Sequence, residues 1–226
     1  SLIQEADGII ALGKFSPKTI RDLESYGKPL IFVDSNTLYL GHSCVTTDLE
    51  DSVITALEHF LEHGHKEIGL LVGQEETADA TPLQMDPRQR TFQQYLTEKG
   101  LYEERFVSVG QFSTESGYQM MEQLIQALGD DLPTAFFMAS DALAVGALRS
   151  LQEHQIAVPE RVSLISFNDT SIAKYVFPAL STVTVYTEEM GKQAIQMLRQ
   201  TFLGSQPSVP YMVKLATKLT IRDSSR

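Results

Sequence analysis

Short apolar runs alternate with amphipathic stretches along nearly the whole chain, and this alternation limits the possible folds more than any other feature. "DGIIALG" precedes a helical pattern near 17–26, "PLIFVD" one near 49–63 and "EIGLLVG" one near 88–99. "RFVSVG" then precedes 114–128, "AFFMAS" precedes 141–154, "VSLISF" precedes a short turn near 169–175, and "STVTV" precedes 187–203. Apolar β runs that trade places with helices in this way predict an α/β protein with doubly wound, largely parallel sheets. The tail "VPYMVKLATKLTIR" reads as paired or extended strand. Gly64 after "HFLEH", Gly100 after "YLTEK" and Pro159 shortly after "LQEHQ" mark helix ends.

Two joints between strand and helix carry polar side chains. In "FFMASDALAVGALRSLQ" the buried run stops at Ser140-Asp141, and Leu143, Ala144, Ala147, Leu148 and Leu151 then recur at helical spacing. Either Ser140 or Asp141 can cap the helix, accepting its orphan N–H groups. The same joint lies past the carboxyl end of a strand, where open α/β sheets place ligands, so an oxygen there can instead face a bound molecule. "SLISFNDTS" repeats the arrangement: Asn168 offers a donor and an acceptor to a ligand hydroxyl, or it forms an Asx turn that begins the next helix. The polar stretch "GQEETADATPLQMDP" exceeds a usual strand-to-helix loop, which places it at a functional rim.

Composition narrows the partners. The 226 residues are 42% hydrophobic, enough for one large α/β domain or two smaller lobes. A formal charge of −11, with dispersed cations and no zinc-finger or helix-turn-helix spacing, opposes contact with a phosphate backbone. Any role on nucleic acid would fall to another segment. No apolar run approaches the roughly 18 residues of a membrane span, and "SLIQEADG" has neither the basic region nor the cleavage pattern of a secretory leader. Cys44, the single cysteine, cannot form an internal disulfide, which suits a reducing, cytoplasmic compartment.

Four stretches, "LEHFLEHGHKEIGLLVG", "ASDALAVGALRSLQEHQIAVPERVSLISFNDT", "FPALSTVTV" and "EEMGKQAIQML", occur in the order and at the separations of a known group. Through them nearly the whole chain resembles the effector-binding core of the lactose-repressor/galactose-repressor family of bacterial transcription regulators. The wording of "IALGKFS", "SLISFND" and "FPALSTV" looks closest to regulators of galactose or β-galactoside use. The resemblance implies a two-lobed, periplasmic-binding-protein-like fold whose lobes are joined by three crossovers and hold a small neutral sugar. One lobe would comprise residues 1–46 and 185–212, the other 47–184 and 213–226. It also implies a homodimeric repressor relieved by sugar, with dimer contacts outside the cleft, for instance on the helices near 116–128 and 141–151. No cofactor or metal is implied. In this family an amino-terminal helix-turn-helix, a hinge helix and two strand-helix units precede the part that matches Ser1 onwards, so operator DNA would be met through a segment ahead of this chain and the amino-terminal lobe shown here would be incomplete.

The resemblance also supplies candidate effector contacts. Asp34, closing "PLIFVD", matches a ligand-facing acidic position of sugar-responsive members. Arg88 matches the arginine of an Arg-x-x-Gly-aromatic motif that reaches effector hydroxyls, with Thr91 in place of the glycine. Phe112 in "GQFSTESG" resembles an aromatic that stacks on a sugar ring. Ser140 stands where many members have asparagine, and Asn168 where they usually have aspartate, so the identity of the sugar does not carry over. Each residue also has an ordinary structural reading: Asp34 and Arg88 paired with neighbours, Phe112 in the core.

Rival classes fare less well. "HFLEH", His59 to His63, fits the zinc-protease pattern H-x-x-E-H, since histidines four apart share a helix face. Leu57, Phe60 and Leu61 form the core stripe there, His59 and Glu62 fall away from it, and no third ligand is identifiable. Cys44 beside His42 does not make a nucleophile and base. The chain therefore reads as a binding protein, not an enzyme. A stand-alone sugar receptor of the periplasmic type would use the same cleft.

Overall fold

The computed structural model describes residues 2–80 and 85–226; positions 81–84 of the long polar loop lie outside the described residues. In chain order the elements begin with α1 (Leu2–Glu5), β1 (Ile9–Leu12), α2 (Pro17–Glu24), β2 (Leu30–Val33) and β3 (Cys44–Thr47). Then come α3 (Leu49–Glu62), β4 (Ile68–Gly73), α4 (Pro87–Glu98), β5 (Val107–Gly110), α5 (Thr114–Leu128), β6 (Ala135–Met138), α6 (Asp141–Glu153), β7 (Ser163–Asn168), α7 (Ile172–Tyr175) and β8 (Ser181–Thr184). The chain ends with α8 (Thr187–Phe202), β9 (Met212–Leu215) and β10 (Lys218–Thr220).

Two compact units result. The first comprises Ser1–Asp48, Glu76–Leu83 and Tyr186–Ala216, and the second Leu49–Glu75, Gln84–Val185 and Thr217–Arg226. The sequence reading places its edges after 46, 184 and 212, whereas in the structure β3 and β9 run on to Thr47 and Leu215 within the first unit. The tail forms two strands: β9 is parallel to β3, while β10 pairs antiparallel with β8. Only two residues separate them, and each strand completes a different sheet.

The first unit has a four-stranded parallel sheet of order β1-β2-β3-β9. Its core joins Ala11, Ile20, Phe32 and Cys44, with Phe15 edge-on to Phe32 at 5.8 Å. Ser16 caps α2 by accepting from Thr19 N, and Pro17 opens that helix where no N–H is needed.

The second unit has a six-stranded sheet of order β10-β8-β7-β6-β4-β5, parallel except for β10. Strands β4 and β6 read as unbroken apolar runs because both faces are covered, and all their residues are buried. The chain leaves β4 for β5 on one side and returns to β6 on the other, so the winding direction reverses between β4 and β6. In doubly wound sheets such a switch point opens a crevice at the carboxyl ends of the strands. Helices α5 and α6 pack backbone to backbone on one face. A Cβ on Gly146 would lie 1.9 Å from the Thr114 carbonyl oxygen, so this position has no room for a side chain.

Candidate functional site

The candidate residues of the second unit gather at the switch point. Asp86 caps α4 by accepting from Arg88 N at 2.8 Å, and Pro87 fixes the first turn. That turn aims Arg88 inward, where it is 7% exposed. Its Nε donates to Asp86 Oδ1 at 2.8 Å and its Nη2 to Asp86 Oδ2 at 2.6 Å, the paired geometry that a planar guanidinium and a carboxylate favour. Nη2 also reaches Glu75 Oε1 at 3.3 Å, and Nη1 donates to the Ala139 carbonyl at 2.7 Å, just past the end of β6.

Two aromatic rings flank the guanidinium. Its central carbon lies 4.8 Å from the Phe112 ring centroid and 5.3 Å from that of Phe167. Phe112 is half-buried and packs on the core as well. Its ring fits because β4 ends in glycine: a Cβ on Gly73 would stand 2.4 Å from Phe112 Cδ2.

Ser140 caps α6, its hydroxyl accepting from Leu143 N at 3.3 Å, and is 7% exposed. Asp141, the other possible cap, does something different. Buried to 1% exposure, it accepts from Ser166 Oγ at 2.5 Å, Thr182 Oγ1 at 3.0 Å, Thr170 N at 2.6 Å and Thr170 Oγ1 at 2.8 Å. It is a tie between α6, two strands and the loop after β7, not a ligand contact.

Asn168 closes β7 with φ 109° and Asp169 follows with φ 59°, two consecutive non-glycine residues in sparsely populated backbone space. The Asx-turn reading does not hold, since Thr170 N is taken by Asp141 and, among the described residues, the Asn168 amide makes no hydrogen bond. Asp169 is held by Arg222 Nη2 at 2.7 Å and by Thr184 Oγ1 at 2.8 Å. The strand ends thus bring together Arg88, Phe112, Ser140 and Asn168.

Asp34 belongs to the first unit. It follows β2 with φ 64°, its carboxylate is paired with Lys14 Nζ at 2.9 Å, and its side chain is 56% exposed. Lys14 also donates to the Asp34 carbonyl. Sequence reasoning passed over Asp86, Glu75, Phe167 and Lys14. An aspartate before proline at a helix start was the one local signal for Asp86; the others have partners far along the chain.

Among the described residues no group of three or more His, Cys, Asp or Glu is placed to hold an ion. His59 does not fall away from the core as its position on the helix suggested. It is half-buried, its Nε2 has no protein partner, and its ring lies 4.2 Å from that of His63. Burial, then the neighbouring His63, pushes the His59 pKa down. Among the described residues no helix is long and apolar enough to cross a membrane.

A cavity of about 230 Å³ lies in the first unit between the amino ends of β2 and β3 and the 206–211 segment, at the opposite end of β2 from Asp34.

Comparison with known proteins agrees with this architecture. Residues 57–225 match the family model of a periplasmic binding protein-like domain. The chain is 50% identical over its full length to the HTH-type transcriptional regulator GalR of Streptococcus thermophilus, covering 68% of that protein. It is 37% identical to the regulator of the same name from Lacticaseibacillus casei, over 98% of this chain and 67% of that one. A solved transcriptional regulator CelR-cellobiose complex superposes with a TM-score of 0.84 at 26% identity, covering 99% of this chain and 67% of the other. The fold is thus that of a periplasmic-binding-protein-like α/β effector core. The chain belongs to the lactose-repressor/galactose-repressor family of transcriptional regulators.

Proposed function

We propose that this chain is the effector-binding core of a cytoplasmic, sugar-responsive repressor, and that it takes a small uncharged sugar of the galactoside class. The supporting observation is Arg88, fixed between Phe112 and Phe167 at the switch point. There an apolar ring face and a set of hydrogen-bonding groups adjoin, which is what a pyranose requires: hydroxyls around the edge and C–H groups on one face. Ser140 and Asn168 supply hydroxyl and amide at the same strand ends, and Asp34 is the first unit's proposed contact to the sugar. The names of the relatives favour a regulator over a stand-alone receptor, and nothing in the proposed site calls for catalysis.

In this reading the sugar acts by preferring one conformational state of a homodimer whose operator contacts lie on a helix-turn-helix outside this sequence. A coupling of about 1–3 kcal/mol would change operator affinity roughly 5–150-fold.

The test is isothermal titration of the full regulator with galactose, lactose, allolactose and glucose, beside Arg88→Ala and Asn168→Ala. Saturable heat with a galactoside, lost in Arg88→Ala and weakened in Asn168→Ala, supports the reading. A folded protein that gives no heat with any of the four sugars refutes the galactoside assignment.

A further inference from the structure

Arg88 is the obvious anion receptor at the candidate site, yet its charge is already answered. Asp86 binds it through two parallel hydrogen bonds, at 2.8 and 2.6 Å, and the Asp86 side chain is 1% exposed. Glu75 adds a second carboxylate at 3.3 Å, and the Ala139 carbonyl a further negative dipole end at 2.7 Å. One guanidinium therefore faces two carboxylates. Arg222, the guanidinium beside Asp169 at the same rim, is likewise paired, at 2.7 Å, and donates to the Leu180 carbonyl.

We infer that Asp86, assisted by Glu75, is a specificity determinant of the effector site: it cancels the charge of Arg88 so that the site accepts unphosphorylated sugars and rejects sugar phosphates and free phosphate. This rests on reading Arg88 as an effector contact. An anion gains from an arginine only if the arginine's field is not already spent on a closer carboxylate, and at these distances in a dry site the carboxylate is the strongest neighbour. A neutral hydroxyl needs a fixed donor or acceptor, not a net charge, and a guanidinium held in plane by Asp86 and pinned between two rings is such a fixture. Asp86 is thus a positioning residue with an electrostatic consequence, two residues from the arginine it governs.

Its test uses titration calorimetry at constant ionic strength with three probes, inorganic phosphate, galactose 6-phosphate and galactose, against the natural protein, Asp86→Asn and Glu75→Gln. The natural protein should show no saturable heat with either phosphate probe up to about 20 mM, a range that reaches weak, few-kilocalorie binding. Asp86→Asn should gain saturable binding of phosphate or galactose 6-phosphate with a Kd at least about tenfold below that ceiling, and Glu75→Gln a smaller gain of the same sign. A purely structural role for Asp86 would lower stability without creating anion binding. The inference is overturned if the natural protein binds galactose 6-phosphate as tightly as Asp86→Asn does, or if the folded variants gain nothing. Should Asp86→Asn fail to fold, Glu75→Gln decides alone, since the Glu75 side chain is 21% exposed and its loss leaves the Asp86 pair in place. Silence of galactose would count against the galactoside reading only; the phosphate arms report on Asp86 whichever neutral sugar is the effector.

Discussion

Asp141 Oδ2 takes both the backbone N–H and the hydroxyl of Thr170, at 2.6 and 2.8 Å, while Oδ1 takes the hydroxyls of Ser166 and Thr182. A single carboxylate at the start of α6 thereby fixes the loop that carries Asn168 and Asp169. Replacing it with alanine removes the acceptor shared by the buried Ser166 and Thr182 hydroxyls, and releases Thr170, which water can reach. The Asp141→Ala variant should lose about 3 kcal/mol or more of stability, read from urea midpoints, with Asp141→Asn losing less. Sugar affinity should fall as well, because the unusual backbone at Asn168 persists only while its surroundings hold it.

Gly146 offers a second, independent test. Its missing side chain lets α6 approach α5 until the Thr114 carbonyl would sit 1.9 Å from a Cβ. Rigid backbone on the far side cannot turn away as a side chain would. Gly146→Ala should destabilise by about 1–3 kcal/mol despite alanine's higher helix propensity, measured as a lower midpoint with unchanged m-value.

Stability should also fall on mild acidification. Burial pushes the pKa of His59 and of His65 below 6.5; for His65 it outweighs the hydrogen bond to the Arg226 carbonyl at 3.2 Å, which acts the other way. Below pH 6.5 the unfolded chain therefore binds protons that the folded one resists, so stability declines from pH 7.5 to 5.5. His59→Leu should flatten that slope, because it removes the buried Nε2 that has no partner. Further down, Glu122, whose pKa is lowered chiefly by its hydrogen bond to His154 and also by Ser150, adds a contribution present above 4.5 and lost as pH falls through its folded value. Denaturant midpoints across this range check both limbs.

Much of this architecture was legible because its signals are local. Strand-to-helix punctuation is written in adjacent residues, so α5 (Thr114–Leu128) falls where the sequence put it, and α6 (Asp141–Glu153) ends within one residue of the expected 154. What escaped depends on distant partners. Asp141 reads as a cap until Thr182, 41 positions later, is folded against it. Arg88 reads as an effector contact or as paired with its neighbours, and only the fold brings Ala139, 51 positions on, and the two rings around it. The tail reads only as paired or extended strand, because both halves alternate alike and nothing in "LATKL" says that the chain leaves one sheet for another.

The last prediction concerns assembly. The sequence reading put dimer contacts on the helices near 116–128 and 141–151, but in the structure α5 and α6 spend much of their apolar surface on each other and on the core: Met120, Met121, Leu124, Leu143, Ala147 and Leu151 are all buried. A group of exposed apolar side chains lies next to α6, on α7 and the turn that follows it, where Tyr175 is 83% exposed, Phe177 85% and Ile172 44%. Aromatic groups of this size, close together and uncovered, are typical anchors of a protein–protein contact. On the proposed homodimer, Tyr175→Asp or Phe177→Asp would place a carboxylate in the contact and should shift the full regulator toward monomer in sedimentation velocity, while its far-UV circular dichroism stays that of the folded protein. If both variants sediment as the natural protein does, the dimer is formed by another face.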